Sequence, residues 1–485
     1  MSSLPPGPVA PTGPRYEVLA LAALALTMFN LTFRLDREMV QVWDESLYAT
    51  SAIEMIESGE WVVTTFQGAV DYYNSKPPLN VWLIALSFKT FGVSIASLRA
   101  PSALSAWLTV VAVLLWCRAV LGDRVGWLAA LILGTTYGFL YIHAGRTANA
   151  DAHLTLVITL MFITLWSAPM RPWLAVWIGP LAAVAVLLKG PGAVALLAPF
   201  LVADAVDALR TAADRRTWAV PRLVALVLFA VPVLAWADAR WQFDGWRFFA
   251  RMIDYDTLGR AGSALEGHAE PPWYYLDILQ RHHYDWLVVG LAAVLAAPSG
   301  FAALRGWIHD RPASRGLFAA WLTAALLLPT VVPTKLAWYL NPLYPLMAVA
   351  IAAAVSHAWT SLRAHGHLAR ARALTVLVVV ALGVAEGKLA WTSFTKLDLD
   401  RSAQGLLIGH AELIRGRRVF ARTCPRPEWF LARAAGSRCL VARDIELYLA
   451  VSDPKDLWLD APGSVNPALT AVVGNRRAAL YARRD

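Results

Sequence analysis

Residues 16–48 read YEVLALAALALTMFNLTFRLDREMVQVWDESLY, and the change of character within this stretch decides the fold. Its first half is apolar and long enough to cross a bilayer, which takes about 20 residues of helix. Its second half is charged and ends in the acidic pair Asp44-Glu45, followed closely by Tyr48. Carboxylates beside a bilayer are costly to bury, so they usually lie at a water-filled site that uses them. The stretch predicts a membrane helix that leads into an external functional loop.

The composition of the whole chain agrees with a membrane protein. The 485 residues are 58% hydrophobic and only 16% charged, whereas soluble domains average about 25% charged residues. The formal net charge is +9, but the basic residues fall mainly in short loops and in the tail. This distribution indicates membrane orientation and contact with anionic lipid, and we expect no nucleic-acid partner.

The apolar runs predict an all-α polytopic protein with about eleven to thirteen membrane helices. The predicted spans are Tyr16–Phe33, Ala100–Val120, Val125–His143, Ala152–Ser167, Trp173–Leu188, Gly190–Val206, Arg222–Ala237, Trp286–Leu304, Gly316–Val332, Trp338–Trp359 and Ala373–Trp391. The first should remain as a signal anchor, since no cleavable signal peptide is evident. Leu79–Phe91 is too short to cross, so we predict a helix at the membrane surface.

The loops between these spans carry an asymmetry of charge that orients the chain. With the amino terminus in the cytoplasm, every predicted inner loop is basic, as the positive-inside rule requires. The external side then receives loops 34–99, 144–151 and 238–285, together with the tail 392–485. We therefore predict a membrane module over residues 1–391 and a small periplasmic domain over 392–485.

The tail has the composition of a small α/β domain. Alternating stretches such as Arg418–Ala421 and Cys439–Ala442 predict strands, and Pro427–Ala435 predicts a helix between them. Cys424 and Cys439 are the only cysteines of the tail. On the external side they can form a disulfide, and the alternative is two free thiols.

The pair Asp44-Glu45 is the strongest candidate for chemistry. One carboxylate could serve as a general base on an acceptor hydroxyl, or stabilise positive charge developing on a sugar carbon. The alternative is a structural one, in which Asp44 caps a helix over Glu45–Ile56. A capped helix by itself would not require Tyr48 and the Lys-Pro-Pro turn further along the chain.

Four side chains downstream suit an anionic ligand at the membrane boundary. Lys76 precedes Pro77-Pro78, which stiffen the backbone, and Tyr73 lies three residues before it. Lys335 and Tyr339 repeat this combination near a later boundary. Each cation could bind a lipid phosphate, while the alternatives are snorkelling to the headgroups for Lys76 and topology anchoring for Lys335.

Arg146 and Asp151 occupy a short loop between two predicted spans. The functional interpretation places Asp151 beside the first acidic pair and Arg146 on the ligand. The structural alternative is an internal salt bridge between the two side chains. The neighbouring turn Lys189-Gly190-Pro191-Gly192 is interpreted mainly as a break between two apolar runs.

Cofactor signals are weak. The chain has neither a dinucleotide-binding glycine pattern nor a P-loop, so no cofactor is predicted. His268, His282 and His283 lie near Glu266 and Glu270, and these side-chain types suit zinc, but their spacing matches no tight signature, so a divalent metal is unsupported. A nearby series of arginines could form a phosphate or acceptor surface, or equally a solvated helix face: Arg247, Arg251 and Arg260.

Taken in order along the first 350 residues or so, these motifs resemble the GT-C membrane glycosyltransferases of family 39. That family includes the protein O-mannosyltransferases and the bacterial aminoarabinose transferase that acts on lipid A. The residues that carry the resemblance are Asp44-Glu45 with Tyr48, Ser58-Gly59-Glu60-Trp61, Tyr73 with Lys76-Pro77-Pro78, Arg146 with Asp151, and Lys335 with Tyr339 and Pro342.

The resemblance implies a polyprenyl-phosphate sugar as donor, taken from the outer leaflet of a bacterial inner membrane. It implies catalytic roles for Asp44 and Asp151. Donor phosphate or sugar contacts are implied or predicted for Glu45, Tyr48, Tyr73, Lys76, Arg146, Lys335 and Tyr339. The aminoarabinose enzymes have an arginine directly before the first-loop tyrosine, where this chain has Leu47. One phosphate contact must therefore be missing or come from elsewhere.

The implied reaction is a single displacement that inverts the anomeric carbon, with a lipid, polysaccharide or protein as acceptor. A competing hypothesis is a transporter or flippase of lipid-linked glycans. Transporters usually show internal repeats and broken helices that meet at mid-membrane, whereas the polar residues here cluster at outer boundaries. A scaffold with a periplasmic interaction domain would leave the acidic pair and the Lys-Pro-Pro turn unexplained.

Overall fold

The computed structural model describes residues 14–211, 215–297, 312–395, 400–464 and 466–484. The chain divides into two compact units. The helical unit contains the described parts of Met1–Thr32, Ser75–Leu79 and Ser102–Leu389. The mixed unit contains Phe33–Asn74, Asn80–Pro101 and the described parts of Ala390–Asp485.

Helices make up nearly all of the helical unit, and two of them, α4 and α17, continue into the mixed unit. They are α1 (Pro14–Thr32), α4 (Ile95–Leu121), α5 (Asp123–Gly134), α6 (Tyr137–Tyr141), α7 (Ala150–Ser167), α8 (Ile178–Lys189), α9 (Gly192–Thr211), α10 (Arg215–Asp244), α11 (Trp246–Arg251), α12 (Arg260–Gly262), α13 (Tyr274–Ala296), α14 (Pro312–Leu322), α15 (Leu328–Val331), α16 (Leu343–Ala364) and α17 (Leu368–Thr395). Short 3₁₀ segments cover Pro172–Trp177 and Ala337–Leu340, and π-helical segments cover Met252–Gly259 and Thr323–Leu327.

Eight helical segments in the described ranges are long and apolar enough to cross a membrane. They are Pro14–Arg37, Ile95–Leu121, Ala150–Ser167, Pro172–Lys189, Gly192–Leu209, Arg216–Asp244, Leu343–Ala364 and Leu368–Thr395. Each overlaps a predicted span, so the polytopic all-α fold class is confirmed.

The three remaining predicted spans are not single helices with the predicted bounds. Val125–His143 is divided between α5 and α6, and Gly316–Val332 is divided among α14, a π-helical segment and α15. The predicted span Trp286–Leu304 ends outside the described residues, and its helix α13 begins already at Tyr274. Hydropathy marks only the apolar part of a helix, whereas helices α10 and α13 continue into polar residues at either end of the predicted loop 238–285. Together with the segments between Trp246 and Gly259, they make this loop largely helical.

The packing of the helical unit depends on small residues and on a few polar contacts. A side chain at Gly179 would overlap the backbone of Ala225, so α8 and α10 approach at glycine, as is common between membrane helices. Asn30 of α1 donates to the carbonyl oxygen of Gly134 at 3.1 Å and to Glu386 Oε1 at 2.8 Å. These bonds tie α1 to α5 and α17.

The mixed unit holds the remaining elements of the chain. Its helices are α2 (Asp44–Ser58), α3 (Leu79–Phe91), α18 (Ala403–Gly409), α19 (Ala411–Ile414), α20 (Arg426–Ala434) and α21 (Ile445–Val451), with a 3₁₀ turn at Leu35–Arg37. Strands β1 (Thr65–Phe66) and β2 (Ala69–Val70) form an antiparallel hairpin. The bounds of α3 are those that the sequence predicts.

The tail forms a five-stranded mixed sheet with the order β4-β3-β5-β7-β6. The strands are β3 (Arg418–Ala421), β4 (Arg438–Val441), β5 (Leu457–Asp460), β6 (Leu469–Gly474) and β7 (Ala479–Arg483). Strand β3 is parallel to β4 and β5, while β7 is antiparallel to β5 and β6. Phe420, Tyr448 and Trp458 form the centre of its core. The predicted α/β tail is confirmed, and Cys424 and Cys439 form a disulfide.

The mixed unit contains more of the chain than the predicted tail domain 392–485. The tail does not stand alone, because residues 33–74 and 80–101 of the first external loop belong to the same compact unit. Gln404 of α18, for example, accepts from the backbone N–H of Val40 at 2.9 Å and donates to its carbonyl at 3.1 Å. Segments far apart in the sequence thus form one body.

Candidate active site

The acidic pair lies at the first turn of α2, and its two carboxylates have different surroundings. The helix begins at Asp44 itself and the N-cap position is Trp43, so the structural alternative, in which Asp44 is the N-cap of a helix over Glu45–Ile56, does not hold. Asp44 is half-buried, whereas Glu45 is fully buried. Negative charge is favoured in the first turn by the helix dipole. The pair therefore divides into a reachable carboxylate and an internal one.

Glu45 is held by a buried arginine that the sequence analysis did not single out. Arg99 Nε and Nη2 donate to the two oxygens of Glu45 at 2.7 and 3.0 Å. Its remaining donors reach the carbonyl oxygens of Leu35, Glu38 and Met39 at 2.8–3.2 Å. All five guanidinium N–H groups are thus used. Glu45 is therefore a buried structural partner of Arg99, and its predicted contact with the donor stays a prediction.

The two tyrosines of the mixed unit also differ in accessibility. Tyr48 is buried within α2, with 2% of its surface exposed, so it lies in the core of the unit and its ligand role stays a prediction. Tyr73 is 50% exposed, and its ring centroid lies 6.5 Å from that of Trp43. Its backbone N–H donates to Asp71 Oδ1 at 3.1 Å. Tyr73 can therefore offer its phenol to a ligand.

In the helical unit, Asp151 lies in the first turn of α7 and pairs with a lysine. Lys189 Nζ, at the end of α8, is 3.1 Å from each oxygen of Asp151. The pair is mostly buried, with 7% of the Asp151 side chain and 17% of the Lys189 side chain exposed. From the sequence, Lys189 is only part of a predicted turn. Its charge at the end of an apolar run is the signal that indicates a buried ionic partner.

Tyr339 lies within electrostatic range of a cluster of charged side chains in the same unit. It belongs to the 3₁₀ segment Ala337–Leu340, just before the span that begins at Leu343. Burial raises the pKa of Tyr339 to about 12; the charges around it are those of Arg260, Asp151, Lys76 and Asp256. Its hydroxyl is protonated at neutral pH and can donate a hydrogen bond. The structure thus brings together three predicted residues that are distant in sequence.

Two contacts join Asp256 of this cluster to its neighbours. The hydroxyl of Ser75 is hydrogen-bonded to Asp256, and Arg260 Nε lies 3.4 Å from the other oxygen of Asp256. Arg260 Nη1 is buried and has no hydrogen-bond partner among the described residues. Of the three arginines proposed as a surface, Arg247 and Arg251 are exposed and only Arg260 lies near Tyr339. The cluster therefore carries cations suited to an anion.

Two other predicted cations have internal partners. Arg146 is fully buried and donates to the carbonyl oxygen of Asn30 at 2.5 Å, with its guanidinium 4.8 Å from the Tyr141 ring centroid. These contacts hold the guanidinium inside the helical unit, and the ligand role of Arg146 stays a prediction. Lys335 Nζ donates to the carbonyl oxygens of Thr330 and Val332 at 3.0 and 2.9 Å. One of its three N–H donors is not used by these two bonds.

The histidines of the predicted external loop do not converge. The ring of His282 lies tilted beside that of Tyr137, with centroids 5.5 Å apart, and His283 Nδ1 lies 3.2 Å from Thr136 Oγ1. Glu266 accepts from the hydroxyl of Tyr255 at 2.6 Å. In the parts of the chain that the structure covers, no three His, Cys, Asp or Glu side chains are grouped to hold a metal ion.

Similarity to known proteins is found for both sequence and fold. The family of dolichyl-phosphate-mannose-protein mannosyltransferases matches residues 75–236. The chain is 30% identical over 345 residues to undecaprenyl phosphate-alpha-4-amino-4-deoxy-L-arabinose arabinosyl transferase 2 of Pseudomonas fluorescens Pf-5, covering 68% of this chain and 55% of that protein. A transferase of the same name from Pseudomonas savastanoi pv. phaseolicola is 29% identical, with 69% and 61% covered. The chain belongs to the GT-C glycosyltransferases of family 39. The matches span little more than half the length of these relatives.

The fold of this family-39 chain also matches solved structures. The crystal structure of ArnT from Cupriavidus metallidurans bound to undecaprenyl phosphate superposes with a TM-score of 0.69 at 18% identity, covering 97% of this chain and 98% of that one. The archaeal oligosaccharyltransferase AglB from Archaeoglobus fulgidus gives a TM-score of 0.54 at 13% identity, with 88% and 64% covered. At these identities the likeness shows the fold alone.

Proposed function

We propose that this family-39 chain transfers a sugar from a polyprenyl-phosphate carrier to a lipid, polysaccharide or protein. The observation that carries the proposal is the cluster around Tyr339, where Lys76 and Arg260 supply positive charge and Asp151 is held by Lys189. The names of the matched family and of the arabinosyl transferases both specify a polyprenyl-phosphate sugar. This support favours a transferase over a transporter.

The cations and the phenol of the cluster suit the phosphate of the donor. A sugar on a lipid phosphate already has a good leaving group, so catalysis rests on stabilising the departing charge. Lys76 supplies a point charge, and Tyr339 supplies a phenolic donor. Tyr73, in the mixed unit, stays a predicted phosphate ligand because its side chain is half exposed. Arg260 has an unsatisfied guanidinium N–H among the described residues. It is our candidate for the contact that Leu47 cannot make, with Lys335 as a further cation.

The carboxylates suit the acceptor side of the reaction. Asp44 is half-buried at a helix start, and we assign it as the general base that takes the proton of an acceptor hydroxyl. The acceptor oxygen then attacks the anomeric carbon on the side opposite the departing carrier phosphate, so one bond forms as the other breaks and the carbon is inverted. An acceptor phosphate is already ionised and needs no base. Asp151, fixed by Lys189, is the second catalytic carboxylate that we propose, acting on the charge that develops at the sugar.

The proposed location is the bacterial inner membrane, with the reaction on its periplasmic side. Eight apolar helical segments support a multi-pass membrane protein. The basic residues of the predicted inner loops support a cytoplasmic amino terminus and a periplasmic tail. The disulfide of the tail agrees with an oxidising compartment.

The test is transfer from a radiolabelled undecaprenyl-phosphate pentose or hexose in membranes that contain wild type, Asp44→Asn or Lys76→Ala. Loss of one preorganised electrostatic group typically costs ~10²–10³ in rate, so we expect losses of this size in both variants. Lys89→Ala is the matched control, because Lys89 is an exposed lysine beside Trp61 and its loss should leave transfer unchanged.

Each outcome bears on a different part of the proposal. Transfer at the wild-type rate by Asp44→Asn, to a hydroxyl acceptor, would remove Asp44 as the base. The absence of transfer from every polyprenyl-phosphate sugar tested, with the protein present and folded, would favour the transporter hypothesis.

A further inference from the structure

Helix α20 of the tail packs against the first external loop inside the mixed unit. The rings of Phe430 and Phe88 stack with centroids 6.1 Å apart, and Trp429 meets Phe66 of the β1–β2 hairpin edge-on at 6.1 Å. Arg433 forms an ion pair with Glu57 of α2. The loop that carries Asp44 and Tyr73 is therefore supported from one side by a helix more than 350 residues later in the chain.

Arg426, the first residue of α20, makes the most specific of these contacts. Its Nη2 donates to Asp71 Oδ2 at 2.7 Å, and its Nη1 donates to Thr50 Oγ1 at 3.0 Å. Its guanidinium also lies 4.0 Å from the ring centroid of Phe66. The Asp71 side chain is only 5% exposed, so the ion pair is shielded from water and is stronger than a surface pair.

The two acceptors of Arg426 belong to the two segments that carry candidate site residues. Thr50 lies on α2, which begins at Asp44. Asp71 uses its other oxygen to accept the backbone N–H of Tyr73 at 3.1 Å, and its own N–H donates to the carbonyl of Thr64 at 2.9 Å. Arg426 thus bridges helix α2 to the segment that ends in Tyr73, three residues before Lys76.

The disulfide holds the start of α20 in place. Cys424 lies two residues before Arg426 and is bonded to Cys439 in β4, with the Cα atoms 6.1 Å apart. Both cysteines are buried with Ala432 and Trp429. The covalent link therefore tethers the start of α20, and with it the backbone of Arg426, to the sheet.

We propose that Arg426 is a positioning residue, through which the tail domain holds Tyr73 in its donor-binding geometry, with the disulfide fixing Arg426. The inference rests on the proposed function for its catalytic consequence, because Tyr73 is assigned there to the donor phosphate. The link from the tail to residues 60–74 that Arg426 makes is independent of that function.

The primary test is hydrogen–deuterium exchange of the purified full-length protein, with Arg426→Gln and Asp71→Asn compared with wild type. We expect faster exchange in peptides from residues 60–74 and unchanged exchange in the five-stranded sheet. The matched control is Arg415→Gln, because Arg415 pairs with Glu412 on the surface of the same domain, with side chains 64% and 80% exposed. That variant should exchange as wild type does.

The second readout is transfer kinetics with the same variants. Loss of one charge-assisted hydrogen bond corresponds to a factor of about ten in an equilibrium constant, so we expect the KM for the donor to rise about tenfold and kcat to change less. Arg426→Lys keeps a positive charge beside Asp71 but lacks the second guanidinium nitrogen that reaches Thr50. Its donor KM should therefore lie between those of wild type and Arg426→Gln. Cys424→Ser with Cys439→Ser should reproduce the exchange pattern of Arg426→Gln.

Several results would overturn the inference. One is unchanged exchange at residues 60–74 in Arg426→Gln. Another is faster exchange throughout the sheet in Arg426→Gln, which would show a general loss of folding. An unaltered donor KM in an active Arg426→Gln enzyme would also overturn it. If wild type transfers no sugar at all, the proposed function fails, and the exchange data still decide whether the tail positions the loop.

Discussion

At the scale of single residues, the ion pair between Asp151 and Lys189 joins the start of α7 to the end of α8. Both oxygens of Asp151 lie 3.1 Å from Lys189 Nζ, and both side chains are mostly buried. Removing one partner of such a pair leaves an uncompensated charge. We expect Lys189→Met to destabilise the protein by about 3 kcal/mol and to abolish most transfer, as measured by thermal unfolding in detergent and by the transfer assay.

Two further variants separate folding from chemistry at this pair. Lys189→Arg keeps a positive charge and should retain most of the stability. Adding Asp151→Asn to Lys189→Met removes the uncompensated charge and should restore stability without restoring transfer. A melting temperature of Lys189→Met equal to that of wild type would show that the pair contributes nothing to the fold.

At the scale of elements, the turn between α8 and α9 decides where Lys189 points. Gly190 has φ +64° and ψ −151°, a region that only glycine adopts readily. A Cβ there would also lie 2.9 Å from Met252 Sδ and 3.6 Å from Pro77 Cδ. We expect Gly190→Ala to cost about 1–3 kcal/mol of stability and to lower transfer, because both Lys189 and the segment after Lys76 must shift. Thermal unfolding and the transfer assay measure the two effects.

Gly192 provides the control for this turn. It begins α9, has no positive φ, and a Cβ there would meet nothing within 4 Å. Gly192→Ala should therefore be neutral or slightly stabilising, since alanine reduces the entropy of the unfolded chain. Equal effects of the two substitutions would mean that the backbone conformation of Gly190 is not required.

At the scale of the whole molecule, the chain is organised into units that do not follow sequence order. The tail shares its unit with residues 33–74 and 80–101, and Trp429 and Phe430 pack on Phe66 and Phe88. We expect the isolated segment 400–485 to melt below the same segment joined by a flexible linker to residues 33–101. Each aromatic pair contributes about 0.5–1.5 kcal/mol, and 1 kcal/mol shifts the melting temperature of a domain near this size by about 4–8 °C.

Circular dichroism melts of the two proteins in the same detergent measure this difference. Arg426→Gln should reduce the advantage of the linked protein, whereas Arg415→Gln should leave it intact. Equal melting temperatures for the isolated and linked segments would mean that the tail is energetically independent of the loop.

The sequence by itself determined the fold class, most of the membrane helices, the α/β tail and the family. Apolar runs and alternating strands are local signals, since burial of each residue follows from its own chemistry and its near neighbours. For this reason the bounds of α3 and β3 agree with the prediction. The acidic pair and the Lys-Pro-Pro turn were visible because charge and proline are unusual beside a membrane.

Only the tertiary structure decided how the predicted polar residues divide into reachable and internal ones. Asp44 and Glu45 are adjacent in sequence, but Arg99 buries the second. Arg146 has the charge and the N–H donors of a phosphate ligand, and the structure places it against Asn30 and Tyr141. Lys189 and Arg426 were not predicted at all, because their partners Asp151 and Asp71 are 38 and 355 residues away. Pairings across such distances depend on how the elements pack, and the local patterns of this sequence carry no record of them.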